Sequence, residues 1–399
     1  MNMNKIAFNI LTVPVLAVLA VSCGGQDEIY KEWVKKGGYD YPAKAINLSS
    51  VIGYQNVIVN WEKPMDPAVR TATLFWDNYA KSIDVDYADY PDGKVSIEVG
   101  ELEDRSYTFD IVNYDDVGNK SLAAEITVSP YGDGWMVSRS ERTVTSARME
   151  GRDAKIVMSK ATDEMVATRF RYKNLQDEWV ESETVLKPGE NEVTFKDAMK
   201  GKRFEYSSSF CPKAGKDTVW RTWTKSVDGI SYQIDGSRWN VTATNGQYFG
   251  INTPEKIFDG RYDRPAYSWH SSKSDNNKQA FPKILSVDTQ TSTGEEFAFT
   301  GFTFCENNTA ASLRYIKDYT IYVGSSYYNP DDADYLKNFG IPFIGGTLST
   351  SADQYSVNVT QGATGRYMAI VFKNSWNADD GFIDLWELIP YGYIPSLAD

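Results

Sequence analysis

The chain has 399 residues, of which 14% are aromatic and 24% are charged, and its formal net charge at pH 7 is −13. A chain of this length exceeds one hydrophobic core, so roughly two to four domains are expected, and the abundant aromatic residues exclude a largely disordered body. The negative charge excludes an extended phosphate-binding surface, because nucleic-acid binders need clustered lysine and arginine, so no nucleic-acid partner is expected.

The first 22 residues have the composition of a cleavable export signal. Lys5 precedes an apolar run from Ile6 to Val21, which is shorter than the roughly 20 apolar residues of a membrane span. The run ends in the sequence AVSC, residues 20–23, which resembles a bacterial lipobox. This resemblance implies a lipoprotein signal peptide over residues 1–22, a lipid on the sulfur of Cys23 and anchoring to the outer membrane.

Residues 23–42 are predicted to form a flexible, acidic tether. The triplet QDE at residues 26–28 resembles the acidic export signal of Bacteroidota-type lipoproteins, which implies a location on the cell exterior. Cys211 and Cys305 are the only other cysteines and fall in different predicted domains. No disulfide framework is therefore expected, and both residues are predicted to be buried, unreactive thiols.

From Ala43 onward, short alternating apolar runs separated by Gly, Asp, Asn and Pro predict an all-β fold made of sandwiches. Val57, Val59 and Trp61 lie at every second position, which predicts a strand with Trp61 turned inward. Tyr107, which follows Leu102, resembles the tyrosine corner of fibronectin type III sandwiches. The first domain is placed at residues 43–130.

The same pattern returns at a constant offset of 97 residues, which takes position 57 to 154 and position 107 to 204. The constant offset through two separated strands predicts duplication of one fibronectin type III or immunoglobulin-like sandwich, with the second copy at residues 131–230. The stretches between Tyr39 and about Lys225 resemble an uncharacterised lipoprotein family with two such repeats. We interpret residues 43–230 as a stalk.

The C-terminal part, residues 231–396, carries an ordered set of motifs. They are Trp239 before VTATNG, IFDG at 257–260, WHS at 269–271, FPKILSVD at 281–288, IKDYTIYVGSS at 316–326, GRYMAIVF at 365–372 and FIDLWELIPYG at 382–392. This order resembles a discoidin-like domain, also called the coagulation factor five/eight C type, whose bacterial members include family 32 carbohydrate-binding modules. The resemblance implies a jelly-roll β-sandwich that binds carbohydrate through loops at one end.

Two strands of this domain allow a prediction of which side chains face the core. On one strand Tyr319, Ile321 and Val323 alternate, and on the other Tyr367, Ala369 and Val371 alternate. These two sets are predicted to point inward.

His270 is the only histidine of the chain, so any serine or cysteine triad would have to use it. It lies beside the predicted core residue Trp269, and no G-x-S-x-G element accompanies it. A zinc site would also need more His or Cys ligands. No catalytic residue is therefore assigned, and the protein is predicted not to be an enzyme.

The resemblance also implies a structural calcium ion, held by Asp259, Asp263 and Glu387. Arg261 stands where the family normally has a second aspartate, and the segment up to Trp269 is longer than usual. The alternative makes residues 259–260 a simple turn and Glu387 a partner of Arg366. Both interpretations stay open, and no other cofactor is required.

Carbohydrate sites combine a flat aromatic ring with a few hydrogen-bonding side chains. The candidate platforms are Trp376, Tyr327, Tyr328 and Tyr248, and the candidate polar companions are Asn374, Asn377, Asp379, Arg264 and His270. Trp376 is the first choice, because the Asn and Asp residues on both sides of it indicate a solvated loop.

The sequence thus predicts a non-catalytic surface lipoprotein that binds glycans and assists polysaccharide capture and uptake. It resembles accessory lipoproteins of outer-membrane glycan-import systems, which implies a transporter and its binding lipoprotein as partners. The alternative is a cell-adhesion or structural surface protein that binds a protein or host-matrix partner. Fold alone does not separate the two.

Overall fold

The computed structural model describes residues 41–244, 251–261, 268–271, 281–290, 294–306, 315–349, 354–376 and 383–399. In these residues strands dominate, and the two α-helices, α1 (Asp133–Val137) and α2 (Tyr335–Phe339), are short. The chain divides into two compact units, the first ending at Tyr131 and the second beginning at Gly132. No helix of the described part is long and apolar enough to cross a membrane.

The first unit contains one antiparallel sandwich. Its strands are β1 (Ile46–Ile52), β2 (Val57–Glu62), β3 (Thr71–Trp76), β4 (Lys81–Asp86), β5 (Lys94–Val99), β6 (Tyr107–Tyr114) and β7 (Ala124–Val128), with a 3₁₀ turn at Tyr87–Asp89. One sheet has the order β1-β2-β5 and the other β4-β3-β6-β7. Alternate residues of each strand enter the core, as Trp61 does.

Three hydrogen bonds hold aromatic side chains in this core. The hydroxyl of Tyr107 accepts a hydrogen bond from the backbone N–H of Glu103 at 3.0 Å, which confirms the predicted tyrosine corner. Trp61 Nε1 donates to the Tyr87 hydroxyl at 3.0 Å, and that hydroxyl donates to Asn113 Oδ1 at 2.8 Å. The buried indole N–H is therefore satisfied, as a low-dielectric core requires.

The second sandwich repeats this arrangement. Its strands are β8 (Val144–Glu150), β9 (Asp153–Met158), β10 (Met165–Lys173), β11 (Trp179–Glu181), β12 (Glu192–Phe195), β13 (Glu205–Phe210), β14 (Val219–Trp220) and β15 (Thr224–Lys225). The sheet orders are β12-β9-β8 and β11-β10-β13-β14, with β15 also pairing with β13. Each strand from β8 to β14 occupies the place of the strand seven earlier, so the two sandwiches share one strand order, while their origin by duplication stays a prediction.

The C-terminal sandwich follows directly. Its strands are β16 (Tyr232–Gln233), β17 (Asn240–Ala243), β18 (Trp269–His270), β19 (Lys283–Asp288), β20 (Phe297–Glu306), β21 (Asp318–Gly324), β22 (Ile344–Thr347), β23 (Gln354–Gly365), β24 (Tyr367–Phe372) and β25 (Asp384–Tyr393), with 3₁₀ turns at Pro254–Phe258 and Pro395–Leu397. One antiparallel sheet runs β16-β25-β20-β23 with β18 beside β25, and the other runs β17-β19-β24-β21-β22. The predicted fold class, two fibronectin-like sandwiches followed by a jelly-roll sandwich, is confirmed.

One predicted strand face is corrected. Tyr319, Ile321 and Val323 of β21 do pack in the core of the C-terminal sandwich. On β24, however, the core-facing set is Met368, Ile370 and Phe372, not Tyr367, Ala369 and Val371. Ala369 and Val371 are buried on the opposite face, so this central strand is covered on both sides. Its sequence therefore does not alternate between apolar and polar residues, and the pattern does not show which set of residues faces the core.

The second and C-terminal sandwiches are joined by backbone hydrogen bonds within one compact unit. Ser231 donates its N–H to Ala147 O at 2.9 Å, and its carbonyl accepts from Met149 N at 2.8 Å. A Cβ at Gly229 would lie 2.1 Å from Gly201 O, so this junction requires glycine. The predicted domain boundaries themselves stay predictions.

The two cysteines of the described part are free thiols. Cys305 is buried as predicted, and burial raises the pKa of its thiol to about 12. Cys211 is only half-buried, so the prediction of a buried thiol is wrong for this residue. Its Sγ lies 3.3 Å from Gly215 O in a turn that leaves it partly open to solvent.

Candidate functional site

The predicted aromatic platforms that the structure describes, Trp376, Tyr327 and Tyr328, lie at opposite ends of one sheet. Strand β21 pairs with β24 so that Tyr319 faces Phe372 and Gly324 faces Tyr367. Trp376 follows the end of β24, and its backbone N–H donates to Tyr315 O at 3.0 Å, just before β21 begins. A strand of this length spans about 20 Å, so Trp376 and the tyrosines that follow β21 cannot contribute to one small site.

Trp376 is held in a fixed orientation although it is exposed. Its side chain is 41% exposed, and its Nε1 donates to Leu348 O at 3.1 Å. The ammonium of Lys317 lies 4.7 Å from the centre of the indole ring. A ring that is fixed before a ligand arrives loses little conformational entropy on binding.

The segments that hold Trp376 also carry a cluster of hydrogen-bonded polar side chains. Asn374 Nδ2 donates to Asp318 Oδ2 at 2.7 Å, and Asn374 Oδ1 accepts from Asp318 N at 2.9 Å. Thr347 Oγ1 donates to Asp318 Oδ1 at 2.5 Å. Hydrogen bonds from Thr347 and then Asn374 lower the pKa of Asp318, so the carboxylate stays ionised. We call Trp376, Asn374, Lys317, Asp318 and Thr347 the Trp376 rim.

His270 lies toward the same end of the sandwich as the Trp376 rim. In β18, His270 pairs with Asp384 at the start of β25. Its neighbour Ser271 uses Oγ to accept from Ile383 N at 2.9 Å and donates its own N–H to Ile383 O at 3.0 Å. These contacts close the edge of the sheet, so the WHS motif has a structural role here.

A buried carboxyl group also occupies this end. Glu306, the last residue of β20, accepts a hydrogen bond from Ile316 N at 2.6 Å, and Ile316 bridges to Ser375. Burial raises the pKa of Glu306 to about 8. Sequence reasoning missed Glu306 and Lys317, because only the pairing of distant strands brings them to the loop of Trp376.

At the other end, Tyr327 is 64% exposed and its ring meets Tyr367 edge-on at 5.8 Å. Tyr328 packs against Phe339 of α2, with ring centres 5.0 Å apart. Tyr328 therefore belongs to the packing of the α2 segment, whereas Tyr327 presents a ring to solvent.

The predicted calcium residues Asp259 and Glu387 line one cavity of about 310 Å³. Gly260 N donates to Glu387 Oε1 at 3.2 Å, and Arg261 N donates to Asp259 Oδ1 at 2.9 Å. Burial is the main cause that raises the pKa of Glu387 to about 8, and burial also raises the pKa of Asp259. Glu387 Oε2 is buried and has no hydrogen-bond partner in the described part of the chain.

These features bear on both open interpretations of the loop. Arg366 does not pair with Glu387, because its guanidinium binds Asp288 through two hydrogen bonds of 2.7 and 3.0 Å. The buried, unpartnered oxygen of Glu387 beside a second carboxylate fits a hard cation such as calcium. Among the described residues no three His, Cys, Asp or Glu side chains cluster as metal ligands, and the third predicted calcium residue, Asp263, lies outside them.

Several predicted site residues fall outside the described residues. They are Cys23, Tyr248, Asp263, Arg264, Asn377 and Asp379.

Comparison with known proteins gives one family match. Residues 23–217, just under half of the chain, match DUF4998, a domain of unknown function. No curated protein matches the chain.

Similar solved structures include a family 32 CBM from C. perfringens NanJ in complex with galactose, which is 18% identical, covers 41% of this chain and 99% of that chain, and has a TM-score of 0.31. An f-lectin from striped bass (Morone saxatilis) serum is 12% identical, covers 74% and 86% of the two chains, and has a TM-score of 0.32. A SusE-like protein is 11% identical, covers 87% and 97%, and has a TM-score of 0.26. At these identities and TM-scores the similarities carry no argument about function.

Proposed function

We propose that the protein is a non-catalytic surface lipoprotein that binds a carbohydrate through the Trp376 rim. The observation that supports this most directly is the exposed indole of Trp376, fixed by its bond to Leu348 O. A fixed aromatic ring can cover the apolar face of a pyranose, while Asn374 and Asp318 offer hydrogen bonds to its hydroxyl groups.

The N-terminal sequence supports the surface location. In this proposal Cys23 carries the lipid, the acidic tether keeps the folded units away from the outer membrane, and the protein works beside a glycan transporter and its binding lipoprotein. Incorporation of a labelled fatty acid into the full chain, but not into a Cys23→Ser variant, tests the anchor.

We also propose that Asp259 and Glu387, joined by Asp263, hold a structural calcium ion. The two described carboxylates and the unpartnered Glu387 Oε2 support this part of the proposal. The ion would cross-link the 259–261 loop to β25 and take no part in chemistry.

Affinity electrophoresis of the full chain in gels that contain plant, mucin or host glycans tests the carbohydrate site. We expect at least one glycan to retard the protein, and we expect Trp376→Ala to weaken that binding by about tenfold or more, because central aromatic anchors dominate binding energy. Tyr327→Ala is the matched control, since it removes an exposed ring at the opposite end of β21 and should leave binding unchanged.

Three outcomes would count against the proposal. Retardation that survives Trp376→Ala but is lost in Tyr327→Ala would move the site to the other end of the sandwich. Absence of binding to every glycan would favour the alternative, an adhesion protein with a protein or host-matrix partner. Release of sugar from any glycan would overturn the non-catalytic assignment.

A further inference from the structure

A second cavity, of about 300 Å³, lies between strand β8 of the second sandwich and the C-terminal sandwich. Glu141 and Arg148 line it from one side, and Thr300 and Asn358 line it from the other. It shares no residue with the Trp376 rim or with the cavity of Asp259 and Glu387.

An irregularity in the sheet shapes one wall of this cavity. In the pairing of β20 with β23, Phe299 faces Ala363 but Gly301 faces Asn358, so residues 359–362 bulge out of the ladder. A Cβ at Gly301 would lie 2.4 Å from Val357 O, so only glycine allows the strands to approach here. Bulges of this kind commonly redirect side chains next to binding sites.

Arg148 is one of four charged residues that line the cavity, together with Glu141, Arg142 and Asp228. Its Nη2 donates to Asn358 Oδ1, and its guanidinium carbon lies 3.5 Å from the centre of the Tyr391 ring. Its Nε is buried and donates to no acceptor among the described residues. No carboxylate in the described part of the chain forms an ion pair with the Arg148 guanidinium. Burial lowers the pKa of Arg148, which reflects the cost of an incompletely paired guanidinium.

Nearby Arg142 shows how the same fold satisfies a structural arginine. Arg142 is only 1% exposed, yet its guanidinium donates to three backbone carbonyls, those of Lys187 at 2.8 Å, Ser159 at 3.3 Å and Glu190 at 2.5 Å. Arg148 lacks such a set of carbonyl acceptors, so a bound ligand would supply the hydrogen-bond acceptors that the protein does not.

Glu141 supplies the complementary feature. Its Oε1 accepts from Ser208 N at 3.1 Å, while its Oε2 is buried without a hydrogen-bond partner in the described part of the chain. Two residues that line the cavity thus carry a buried donor on a cation and a buried acceptor on a carboxylate, and no described residue uses either of them. A ligand that satisfies both needs an acceptor for Arg148 and a donor for Glu141, and a carboxylate with a neighbouring hydroxyl group combines a strong acceptor for a guanidinium with such a donor.

We propose that this cavity binds a small hydroxy-carboxylate of about monosaccharide size. Its carboxylate accepts hydrogen bonds from Arg148, and one of its hydroxyl groups donates to Glu141 Oε2. The proposal is independent of carbohydrate binding at the Trp376 rim, because the two sites share no residue.

Calorimetric titration of the full chain with glucuronate, galacturonate and gluconate tests the proposal. We expect at least one of these probes to bind, neutral glucose to bind much more weakly, and Arg148→Gln to weaken binding by about tenfold or more, since hydrogen bonds to charged groups contribute that much. Arg152→Gln is the matched control, because Arg152 lies in the same sandwich, is 75% exposed and pairs with Asp197 at 2.9 Å.

Arg148→Lys keeps the positive charge but lacks the Nε donor, and it replaces the glutamine variant if that variant does not fold. Weaker binding by Arg148→Lys and unchanged binding by Trp376→Ala would support the proposal. Failure of all three probes to bind, or binding unaffected at Arg148, would overturn it. Sulfate that binds as tightly as the sugar acids would also overturn it, because the hydroxyl contact to Glu141 would then have no role.

Discussion

At the scale of single residues, the most informative groups are the two buried glutamates of the C-terminal sandwich. Glu306 and Glu387 both have a pKa raised to about 8 by burial, and each has one oxygen without a hydrogen-bond partner among the described residues. They differ in their surroundings, because Glu387 faces a cavity with a second carboxylate, whereas Glu306 is closed in by Ile316. Their expected behaviour therefore differs as well.

Calcium is expected to stabilise the protein through Glu387. A cation that binds only the folded state raises the melting temperature in proportion to the logarithm of its concentration. We expect millimolar calcium to raise the melting temperature of the wild-type chain, and we expect Glu387→Gln to lose most of that increase. Differential scanning calorimetry measures both, and Glu306→Gln, which alters the other buried carboxyl group, should keep the calcium response. A wild-type melting temperature that does not change with calcium or with a chelator would contradict the calcium assignment.

Glu306 is expected to make stability fall as pH rises. Its pKa in the folded protein is about 8, against an ordinary value of 4.5, so the folded state holds a proton that the unfolded state has lost. The stabilising contribution of this bound proton is complete below pH 4.5 and is lost as the pH rises toward 8. Over this range the free energy of unfolding falls by up to about 1.4 kcal/mol per pH unit.

Glu306→Gln removes this titration, so the free energy of unfolding of the variant should increase relative to wild type between pH 5 and about pH 8. Urea unfolding at several pH values measures the difference. The exposed Glu255→Gln serves as control and should follow the wild-type profile. Parallel profiles for Glu306→Gln and wild type would show that Glu306 is not protonated in the folded protein.

At the scale of elements, the second sandwich carries an alternating row of cations and indole rings. Arg169, Arg171 and Lys173 lie at every second position of β10 and therefore on one face of the sheet. The guanidinium of Arg169 lies 4.5 Å from the centre of the Trp220 ring and 4.6 Å from that of Trp223. Arg171 continues the row, also 4.6 Å from Trp223.

Trp223 is the central ring of this row, so its removal should cost the most. We expect Trp223→Ala to lower the free energy of unfolding by about 2–3 kcal/mol, because two cation–π contacts and buried indole area are lost together. Trp220→Ala, which removes a ring in contact with Arg169 alone, should cost less. Chemical denaturation of both variants measures which one loses more free energy of unfolding. Equal losses in the two variants would mean that the rings stabilise the sandwich only through their buried apolar area.

At the scale of the whole molecule, the second sandwich is tied to the C-terminal sandwich by several contacts. Its edge strand β8 shares backbone hydrogen bonds with Ser231, and Arg203 N donates to Ala398 O at 2.8 Å. The carboxylate of Asp399 forms ion pairs with Lys225 at 3.0 Å and Arg203 at 3.2 Å. The cavity of Arg148 is lined by residues of both sandwiches, so the ligand proposed for it would contact both.

The all-β fold class, the recurring strand pattern and the order of the jelly-roll motifs could be predicted from the sequence. These features depend on neighbouring residues, because side chains of a strand alternate between its faces and a repeat preserves that alternation at a constant offset. For the same reason, the tyrosine corner of Tyr107 could be predicted from the spacing of a few residues.

The contacts between residues far apart in the chain could not be predicted from the sequence. Arg148 and Asn358 are 210 positions apart, and Gly260 and Glu387 are 127 apart, so their contacts depend on the register of many strands at once. The core-facing residues of β24 could not be predicted either, because a strand buried on both faces shows no alternation of apolar and polar residues. The distance between Trp376 and Tyr327 could not be predicted, because a loop sequence does not specify which end of a sheet the loop occupies.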